Sequence, residues 1–353
     1  MKIVILGLSI TSSWGNGHAT TYRGLVTALA ERGHEVLFLE RDLPWYAAHR
    51  DFRPAPGAAR LYCDLEELRS KYCEAVAEAN LVIVGSYVPE GVRVGEWVTS
   101  HARGVTAFYD IDTPVTLAKL KRNDEEYLSR NLVPKYHLYL SFAGGPILRK
   151  LETEMGARLA RPLYCSVNPA AYFPAEAECE WDLGYMGTYS SDRQDALQRL
   201  FIEPAALWPR GRMVAAGPQY PNSIHWPANI SRIAHLAQSD HRLFYCSQRF
   251  TLNVTRRAMA EAGFSPSVRL FEAAACGTPV ISDSWPGMEE FFCPGEEILV
   301  ACSAADTLCY LRDMAEGERR TIGLRARERV LSAHTARHRA EQLEQHYRDA
   351  MIV

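Results

Sequence analysis

The sequence predicts an α/β fold with two doubly wound domains that face each other across a cleft. Three observations support this prediction. The 353 residues exceed the roughly 100–200 residues of an ordinary domain. Short apolar runs of strand length alternate with amphipathic runs of helix length, as expected when helices cover both faces of a parallel sheet. This alternation stops after Cys165 and later restarts, so the chain carries two such series.

The first series begins with KIVILGL, continues with the helical pattern HATTYRGLVTALAERG and reaches a second strand in HEVLFLE. This is the start of a βαβ unit. Further strands are expected at 79–86, 104–110, 135–141 and 160–165, where the apolar runs are almost continuous. We therefore predict a Rossmann-like N-terminal domain over residues 1–166.

The stretch SVNPAAYFPAEAECE after Cys165 has two prolines and no helical period, and we interpret it as the linker. A second βα series follows, with strands expected at 182–188, 212–218, 228–234, 278–283 and 296–301. It predicts a Rossmann-like C-terminal domain over residues 167–332. The charged segment 333–353 is expected to form a helix that crosses back to the N-terminal domain.

Composition narrows the range of partners. The formal net charge is -3 with no basic stripe, which argues against a nucleic-acid partner. The nine cysteines are odd in number and include no CxxC pair, so we expect reduced thiols and a cytoplasmic protein. No apolar run approaches the ~18 residues of a membrane span, and we expect no transmembrane segment.

Polar residues follow the predicted strands of the first domain, at the sheet edge where such folds bind ligands. Gly15 and Gly17 would let the backbone approach a substrate closely, and His18 would project from the helix start. The alternative is an ordinary strand-to-helix turn with a solvated histidine. The spacing departs from a GxGxxG dinucleotide loop, and Glu40 or Asp42 fits the ribose-binding acid only loosely.

Two acids and a serine complete the candidates of the first domain. Ser86 stands at the end of the predicted strand 79–86 and is placed to contact a sugar or an acceptor. Asp110 and Asp112 lie at the end of the predicted strand 104–110, just before a predicted helix. Capping of that helix would explain one of the two carboxylates but not both as easily. We predict that both aspartates act on the acceptor hydroxyl or the sugar.

The second domain has an unusual glutamate in FSPSVRLFEAAACGTPVISD. Ser-Pro-Ser begins a helix whose free N–H groups are suited to phosphate oxygens. Glu272 lies within this helix among Phe271 and three alanines. A buried carboxylate needs donors, and ribose hydroxyls would supply them.

These stretches, together with GYMGTYSSDRQDAL, AAGPQYP and YDIDTPVTL, resemble glycosyltransferases of the GT-B fold, most closely the CgeB-like group. The resemblance covers nearly the whole chain. It implies a hexosyltransferase-like enzyme that moves a sugar from a nucleotide-diphosphate donor such as a UDP-sugar. The acceptor would be a small molecule, a glycan or a protein. It further implies that the C-terminal domain binds the donor, that the N-terminal domain binds the acceptor, and that the sugar keeps its anomeric configuration.

The resemblance also assigns donor-site residues. Glu272 matches the glutamate that binds the donor ribose, whereas Phe264 replaces a first glutamate seven residues earlier. These enzymes have a Gly-Arg pair and, further on, a lysine. Here the glycine is Gly187, Thr188 replaces the arginine, and Arg193 stands at the position of the lysine. The remaining donor candidates are the phosphate contacts Ser267, Val268, Arg269 and Arg249, the pocket residue Gly217, and Ile233 in the stretch near the base.

The expected mechanism uses no metal and no cofactor, because the helix N-terminus and Arg193 would stabilise the departing pyrophosphate. Two alternatives remain. One is a nucleotide-sugar epimerase on the same fold. The other is a non-catalytic nucleotide-sugar-binding protein, which the replacements at Phe264 and Thr188 favour.

Overall fold

A computed structural model describes residues 1–352, which form two compact units. Unit 1 comprises residues 1–165 and 336–352, and unit 2 comprises Ser166–Thr335. The chain therefore leaves unit 1 once and returns to it at its end. None of the helices formed by residues 1–352 is long and apolar enough to cross a membrane.

The sheet of unit 1 has seven parallel strands: β1 Lys2–Gly7, β2 Glu35–Arg41, β3 Ala59–Tyr62, β4 Leu81–Gly85, β5 Val105–Asp110, β6 Leu138–Ser141 and β7 Ala160–Pro162. Their order is β3-β2-β1-β4-β5-β6-β7. The direction of winding reverses between β1 and β4, where Ile3 pairs with Leu81. This reversal is the topological switch point at which doubly wound sheets bind ligands.

The strands are apolar on both faces of this sheet, and helices cover both faces and bury them. They are α1 His18–Glu31, α2 Pro44–Ala47, α3 Leu65–Glu78, α4 Gly91–His101, α5 Thr113–Lys121, α6 Pro146–Met155 and, numbered last in the chain, α14 Ala336–Ala350. A 3₁₀ turn occupies Val133–Lys135.

The terminal helix α14 packs against α1. Nε of Arg32 donates to Glu344 at 2.6 Å. On the inner side, Arg339 is 2% exposed and its Nε donates to the carbonyl of Tyr164 at 3.0 Å. The buried cation thus joins α14 to the segment that follows β7.

The sheet of unit 2 has six parallel strands: β8 Trp181–Met186, β9 Met213–Ala216, β10 Ile230–Ile233, β11 Gln248–Asn253, β12 Val280–Ser282 and β13 Leu299–Val300. Their order is β10-β9-β8-β11-β12-β13. The switch point of this sheet lies between β8 and β11, where Thr251 pairs with Gly184.

The α-helices of unit 2 are α7 Gln194–Leu197, α8 Glu203–Leu207, α9 Gln238–Cys246, α10 Arg257–Ala262, α11 Val268–Ala275, α12 Ala304–Asp313 and α13 Glu316–Ala333. A π-helical turn at Gln198–Ile202 joins α7 to α8, and 3₁₀ turns lie at Ser191–Arg193 and Met288–Glu290. The core is an apolar cluster that includes Leu183, Leu200 and Phe250.

The predicted fold class is confirmed, since both sheets are parallel and covered by helices. Every strand predicted from the sequence overlaps an observed strand, but β3 and β11 were not predicted. The central strand β11 reads QRFTLN, and its polar residues hide the apolar pattern. Gln248 is nevertheless buried there; its Nε2 donates to the carbonyl of Phe244 at 2.6 Å, and its Oε1 has no hydrogen-bond partner among the described residues.

Candidate functional site

Glycine residues at the carboxyl edge of the unit 2 sheet bring two strand ends into close contact. Gly217 follows β9 with φ +144°, and a Cβ placed on it would lie 2.0 Å from the carbonyl oxygen of Gly187. The N–H of Gly187 donates to Ala216 at 2.9 Å, and that of Gly217 donates to Ile233 at 2.8 Å. The ends of β8, β9 and β10, with three of the predicted donor residues, therefore form one continuous surface.

Arg193 lies beside this surface. Its Nη1 donates to the carbonyl of Thr188 at 3.2 Å. Its Nε is buried and has no hydrogen-bond partner among the described residues. A buried guanidinium N–H without an acceptor is unfavourable unless an anion supplies one.

The N-terminus of α11 lies at the same sheet edge, and no described side chain caps it. The hydroxyl of Ser267, the N-cap residue, instead donates to Oδ1 of Asn253 at 2.7 Å. The N–H groups of Val268 and Arg269 are thus left for another acceptor, whereas that of Leu270 donates to the carbonyl of Ser267 at 3.1 Å. Phosphate oxygens are well suited to that position.

Arg269 links the start of α11 to the ends of β8 and β11. It is 7% exposed, and its Nε donates to the carbonyl of Met186 at 2.5 Å. Its Nη1 donates to Oδ1 of Asn253 at 2.8 Å. The guanidinium therefore joins α11 to the β8 loop, and a direct phosphate contact of Arg269 stays a prediction.

Glu272 lies one turn further along α11 and is 2% exposed. Its Oε2 accepts a hydrogen bond of 3.1 Å from the hydroxyl of Tyr245 and lies 4.0 Å from Nδ1 of His241. Its Oε1 is buried and has no partner among the described residues. Burial and the negative charge of Glu272 raise the pKa of Tyr172. A buried carboxylate oxygen without a donor is unfavourable, and a hydroxyl donor would stabilise it.

Phe264, which stands where related enzymes have a first glutamate, adopts φ +50°. Its N–H donates to the carbonyl of Pro286 at 2.7 Å, and its ring packs against Gly287, where a Cβ would lie 2.3 Å away. Glycine at 287 thus makes room for the aromatic side chain. Arg249 lies outside the carboxyl edge, because it is the second residue of β11.

In unit 1, Glu40 organises the loop that follows β1. It is 1% exposed and accepts from the N–H of Ile10 at 2.7 Å and from the hydroxyl of Thr11 at 2.7 Å. Ser9 donates to it as well. The carboxylate of this β2 residue is occupied by donors of the loop after β1, so the loosely fitting role of a ribose-binding acid has no support here.

The end of that loop carries the predicted acceptor residues. Gly15 and Gly17 are exposed, and a Cβ on either would meet no heavy atom within 4 Å. Gly17 is the N-cap of α1, and Oδ1 of the preceding Asn16 accepts from the N–H of His18 at 3.1 Å. Both positions therefore leave open space beside His18.

His18 and Asp112 meet at the carboxyl edge of unit 1. Nε2 of His18 lies 3.9 Å from Oδ2 of Asp112. The hydroxyl of Tyr87 donates to the same oxygen at 2.8 Å. Tyr87 adopts φ +65°, a sparsely populated conformation for a residue with a side chain. Burial and the charge of Asp112 raise the pKa of Tyr87, so its hydroxyl stays a donor.

Asp110 and Ser86 lie deeper than Asp112, and both are 0% exposed. Asp110 accepts from the hydroxyls of Tyr139 at 2.5 Å and Thr116 at 2.8 Å. Burial raises the pKa of Asp110 to about 6. The hydroxyl of Ser86 accepts from the N–H of Ile111 at 3.1 Å. Direct substrate contacts of these two residues stay predictions, and their burial favours a role in positioning the β5 end.

Sequence reasoning missed several partners in these sites. Tyr87, Tyr245 and Asn253 were not predicted. Tyr245 and Asn253 flank or end the unpredicted strand β11, and only the contacts of the folded chain reveal them. No group of three or more His, Cys, Asp or Glu side chains within residues 1–352 is arranged to hold a metal ion.

Comparisons with known proteins agree with this architecture. Residues 193–345 match a protein family described as "Glycosyl transferase-like". No curated protein matches the sequence. Among solved structures, sucrose-phosphate synthase from Thermosynechococcus elongatus is 16% identical with a TM-score of 0.73, and the match covers 99% of both chains.

Two further solved structures carry nucleotides. Anabaena Alr3699/HepE in complex with UDP and glucose is 13% identical, with a TM-score of 0.72 over 99% of this chain and 100% of that chain. An alpha-glucosyltransferase in complex with UDP-glucose and DNA containing an abasic site is 11% identical, with a TM-score of 0.71 over 98% of both chains. The chain therefore has the GT-B glycosyltransferase fold.

Proposed function

We propose that this protein is a metal-independent glycosyltransferase of the CgeB-like group. It transfers a hexose from a nucleoside-diphosphate sugar to a hydroxyl of a small molecule, a glycan or a protein. The observation that carries the proposal is the buried Glu272 carboxylate with one unpaired oxygen, on a helix whose uncapped N-terminus lies at the carboxyl edge of the sheet. Ribose hydroxyls would donate to the unpaired carboxylate oxygen, and pyrophosphate oxygens would accept from the N–H groups at the helix N-terminus.

Unit 2 is the donor-binding part in this proposal. Leaving-group stabilisation comes from the uncapped N-terminus of α11 and from Arg193, whose Nε has no acceptor among the described residues. Fixed positive groups of this kind stabilise the negative charge that develops as the glycosidic bond breaks. This supports a transfer that requires neither a metal nor a cofactor. Uracil is the proposed base, in line with the UDP complexes among the structural neighbours.

Unit 1 binds the acceptor in this proposal. The exposed Gly15 and Gly17 leave space for it, and the His18–Asp112 pair orients its hydroxyl. A nucleic-acid acceptor is not proposed, because the formal net charge is -3 and the chain has no basic stripe to bind phosphates. The likeness of the residues around Glu272 to retaining enzymes supports retention of the anomeric configuration.

Ligand-dependent thermal stability tests the donor assignment. UDP, GDP, ADP and dTDP would each be added to the purified protein without and with chelator. We expect UDP to raise the melting temperature, because a ligand at a hundredfold excess over Kd stabilises the folded state by about 2.7 kcal/mol. The chelator should not reduce the shift. No shift with any of the four nucleotides would refute the donor site.

A turnover assay then distinguishes glycosyl transfer from epimerisation of the nucleotide-sugar and from binding without catalysis. We expect incubation with a UDP-sugar and an acceptor library to give UDP and a glycosylated product. NMR of the product gives the anomeric configuration directly. An inverted product would indicate that His18, paired with Asp112, removes the acceptor proton directly. An altered nucleotide-sugar released without an acceptor would indicate an epimerase instead.

A further inference from the structure

Asn253, the last residue of β11, is fully buried beside the start of α11. Its side-chain Oδ1 accepts two hydrogen bonds from this helix, one from the hydroxyl of Ser267 at 2.7 Å and one from Nη1 of Arg269 at 2.8 Å. A guanidinium can only donate, so Arg269 fixes which end of the amide faces α11. The proposed function assigns no role to Asn253.

The amide nitrogen of Asn253 faces the other way, toward the end of β12 and the loop after β11. Nδ2 donates to Oγ of Ser282 at 2.9 Å and to Oγ1 of Thr255 at 3.3 Å. Both hydroxyls in turn donate to Asp283, Thr255 to Oδ1 at 2.8 Å and Ser282 to the carbonyl oxygen at 2.9 Å. Every donor and acceptor of the Asn253 amide is therefore used, which holds the side chain in one orientation.

Ser267 occupies a position at which a serine usually caps its own helix. As the N-cap residue of α11 it has φ -86° and ψ 149°, the extended conformation typical of that position. A capping hydroxyl accepts from the N–H of the second or third helical residue, which here is Arg269 or Leu270. The structure of residues 1–352 contains no such bond. Because the N–H of Leu270 donates to the carbonyl of Ser267 at 3.1 Å, the N–H of Arg269 is the one that a capping hydroxyl would bind.

We propose that Asn253 is a positioning residue of the donor site. It holds the hydroxyl of Ser267 away from α11 and so keeps the backbone N–H of Arg269 open for a pyrophosphate oxygen. This inference rests on the proposed function, in which the N-terminus of α11 binds the pyrophosphate of the donor.

The hydroxyl of Ser267 and a pyrophosphate oxygen are alternative acceptors for the same N–H. The backbone of Ser267 already has the N-cap conformation, so a rotation of its side chain is enough to cap the helix. The hydrogen bond to Asn253 keeps the hydroxyl in the other orientation. Without Asn253, a ligand would first have to displace the serine cap.

Amide hydrogen exchange of the full-length protein without nucleotide tests this hold on Ser267, with fragmentation by electron transfer to resolve single amides. In Asn253→Ala the hydroxyl of Ser267 is released and caps the helix, so we expect the exchange of the Arg269 N–H to slow about fivefold. Adding Ser267→Ala should remove this protection. Equal exchange rates of the Arg269 N–H in the wild type and in Asn253→Ala would overturn the proposal.

Two further variants guard against a general loss of stability in Asn253→Ala. Ser282→Ala is the matched control, because it removes a partner of Nδ2 and leaves the contact between Oδ1 and Ser267 in place. It should not change the exchange of the Arg269 N–H. Ser267→Ala alone leaves Asn253 intact and should not speed this exchange either, because the wild-type hydroxyl donates to Asn253 instead of capping the helix. Faster exchange in Ser267→Ala would show that Ser267 is a conventional cap and would refute the role of Asn253, even if Asn253→Ala fails to fold.

UDP titration then connects the hold on Ser267 to ligand binding. We expect Asn253→Ala to bind UDP about fivefold more weakly, which corresponds to the roughly 1 kcal/mol of a serine cap. The affinity for uridine, which has no phosphate, should stay unchanged. Asn253→Ala/Ser267→Ala should regain most of the UDP affinity, because the competing acceptor is gone. A second truncation would not repair a purely structural loss at Asn253, so the absence of recovery in the double variant would contradict the proposal.

The two measurements also separate this inference from the proposed function. Slower exchange of the Arg269 N–H in Asn253→Ala, with no UDP binding by the wild type, would remove the proposed donor site and leave the hold of Asn253 on Ser267 standing. UDP binding by the wild type, with no change of exchange in Asn253→Ala, would retain the donor site and exclude Asn253 as its positioning residue.

Discussion

Oε2 of Glu272 accepts a 3.1 Å hydrogen bond from the hydroxyl of Tyr245, and Oε1 of the same carboxylate has no partner within the described residues. One oxygen is thus held by the protein, and the other is left for a ligand. This asymmetry distinguishes Glu272 from Glu40 in unit 1, where the protein itself supplies donors to both oxygens.

Glu272→Gln keeps the side-chain volume and removes the charge that would accept ribose hydroxyls. We expect UDP affinity to fall by about 1.5–3 kcal/mol, the value of hydrogen bonds to a charged group. Isothermal titration calorimetry measures the loss, and the denaturation midpoint reports the fold. The matched control is Glu261→Gln, an exposed glutamate of α10 in the same unit. A large fall in stability with unchanged affinity per folded molecule would make Glu272 structural.

Arg193→Ala should weaken binding according to the number of phosphates on the ligand. The guanidinium Nε has no acceptor among the described residues, so a pyrophosphate gains a charged hydrogen bond there. We expect the affinity for UDP to fall about tenfold and that for uridine to stay unchanged. Arg199→Ala, an exposed arginine of the adjacent π-helical turn, serves as the control. Equal losses for uridine and UDP would contradict a phosphate role.

Asp112→Asn should separate turnover from donor binding. Asp112 holds the hydroxyl of Tyr87 and lies 3.9 Å from Nε2 of His18. Its charge matters most in the transition state, when the acceptor proton must leave. We expect kcat to fall about 100-fold or more while UDP affinity stays constant. Asp124→Asn, an exposed aspartate after α5, is the control. Near-normal turnover would leave His18 as the leading catalytic candidate.

The buried Asp110 should leave a signature in the pH dependence of folding. Its folded-state pKa of about 6 lies above the ordinary value of 3.8. The folded state therefore binds more protons than the unfolded state between these values, so stability falls as pH rises from about 4 to 6. Asp110→Asn removes this term.

Urea denaturation of wild type and Asp110→Asn at several pH values gives the difference in unfolding free energy. We expect this difference to fall by roughly 3 kcal/mol between pH 4 and pH 7 and to level off above that range. The loss of hydrogen bonds in the variant shifts the curve without changing its slope. A difference that is constant with pH would mean that Asp110 has the same pKa in the folded and unfolded states.

The sequence predicted the fold through its apolar runs, because buried parallel strands leave an almost continuous signal. It did not predict β11, because this strand includes buried polar residues whose partners are found only in the folded chain. The buried hydroxyl of Thr251, for example, donates to the carbonyl of Gly184 at 3.3 Å. Glu272 was predicted because a charge among apolar neighbours is conspicuous. Tyr245 was not, because its contact with Glu272 depends on how α9 packs against α11.

The path of the chain also constrains how the protein folds as it is synthesised. Helix α1 is complete in the sequence near residue 31, but α14, which packs against it, begins only at residue 336. All of Ser166–Thr335 is translated between these two partners. The ribosome therefore delivers the whole of unit 2 before unit 1 can close. The usual order, in which the N-terminal domain matures first, is reversed here for the final packing step.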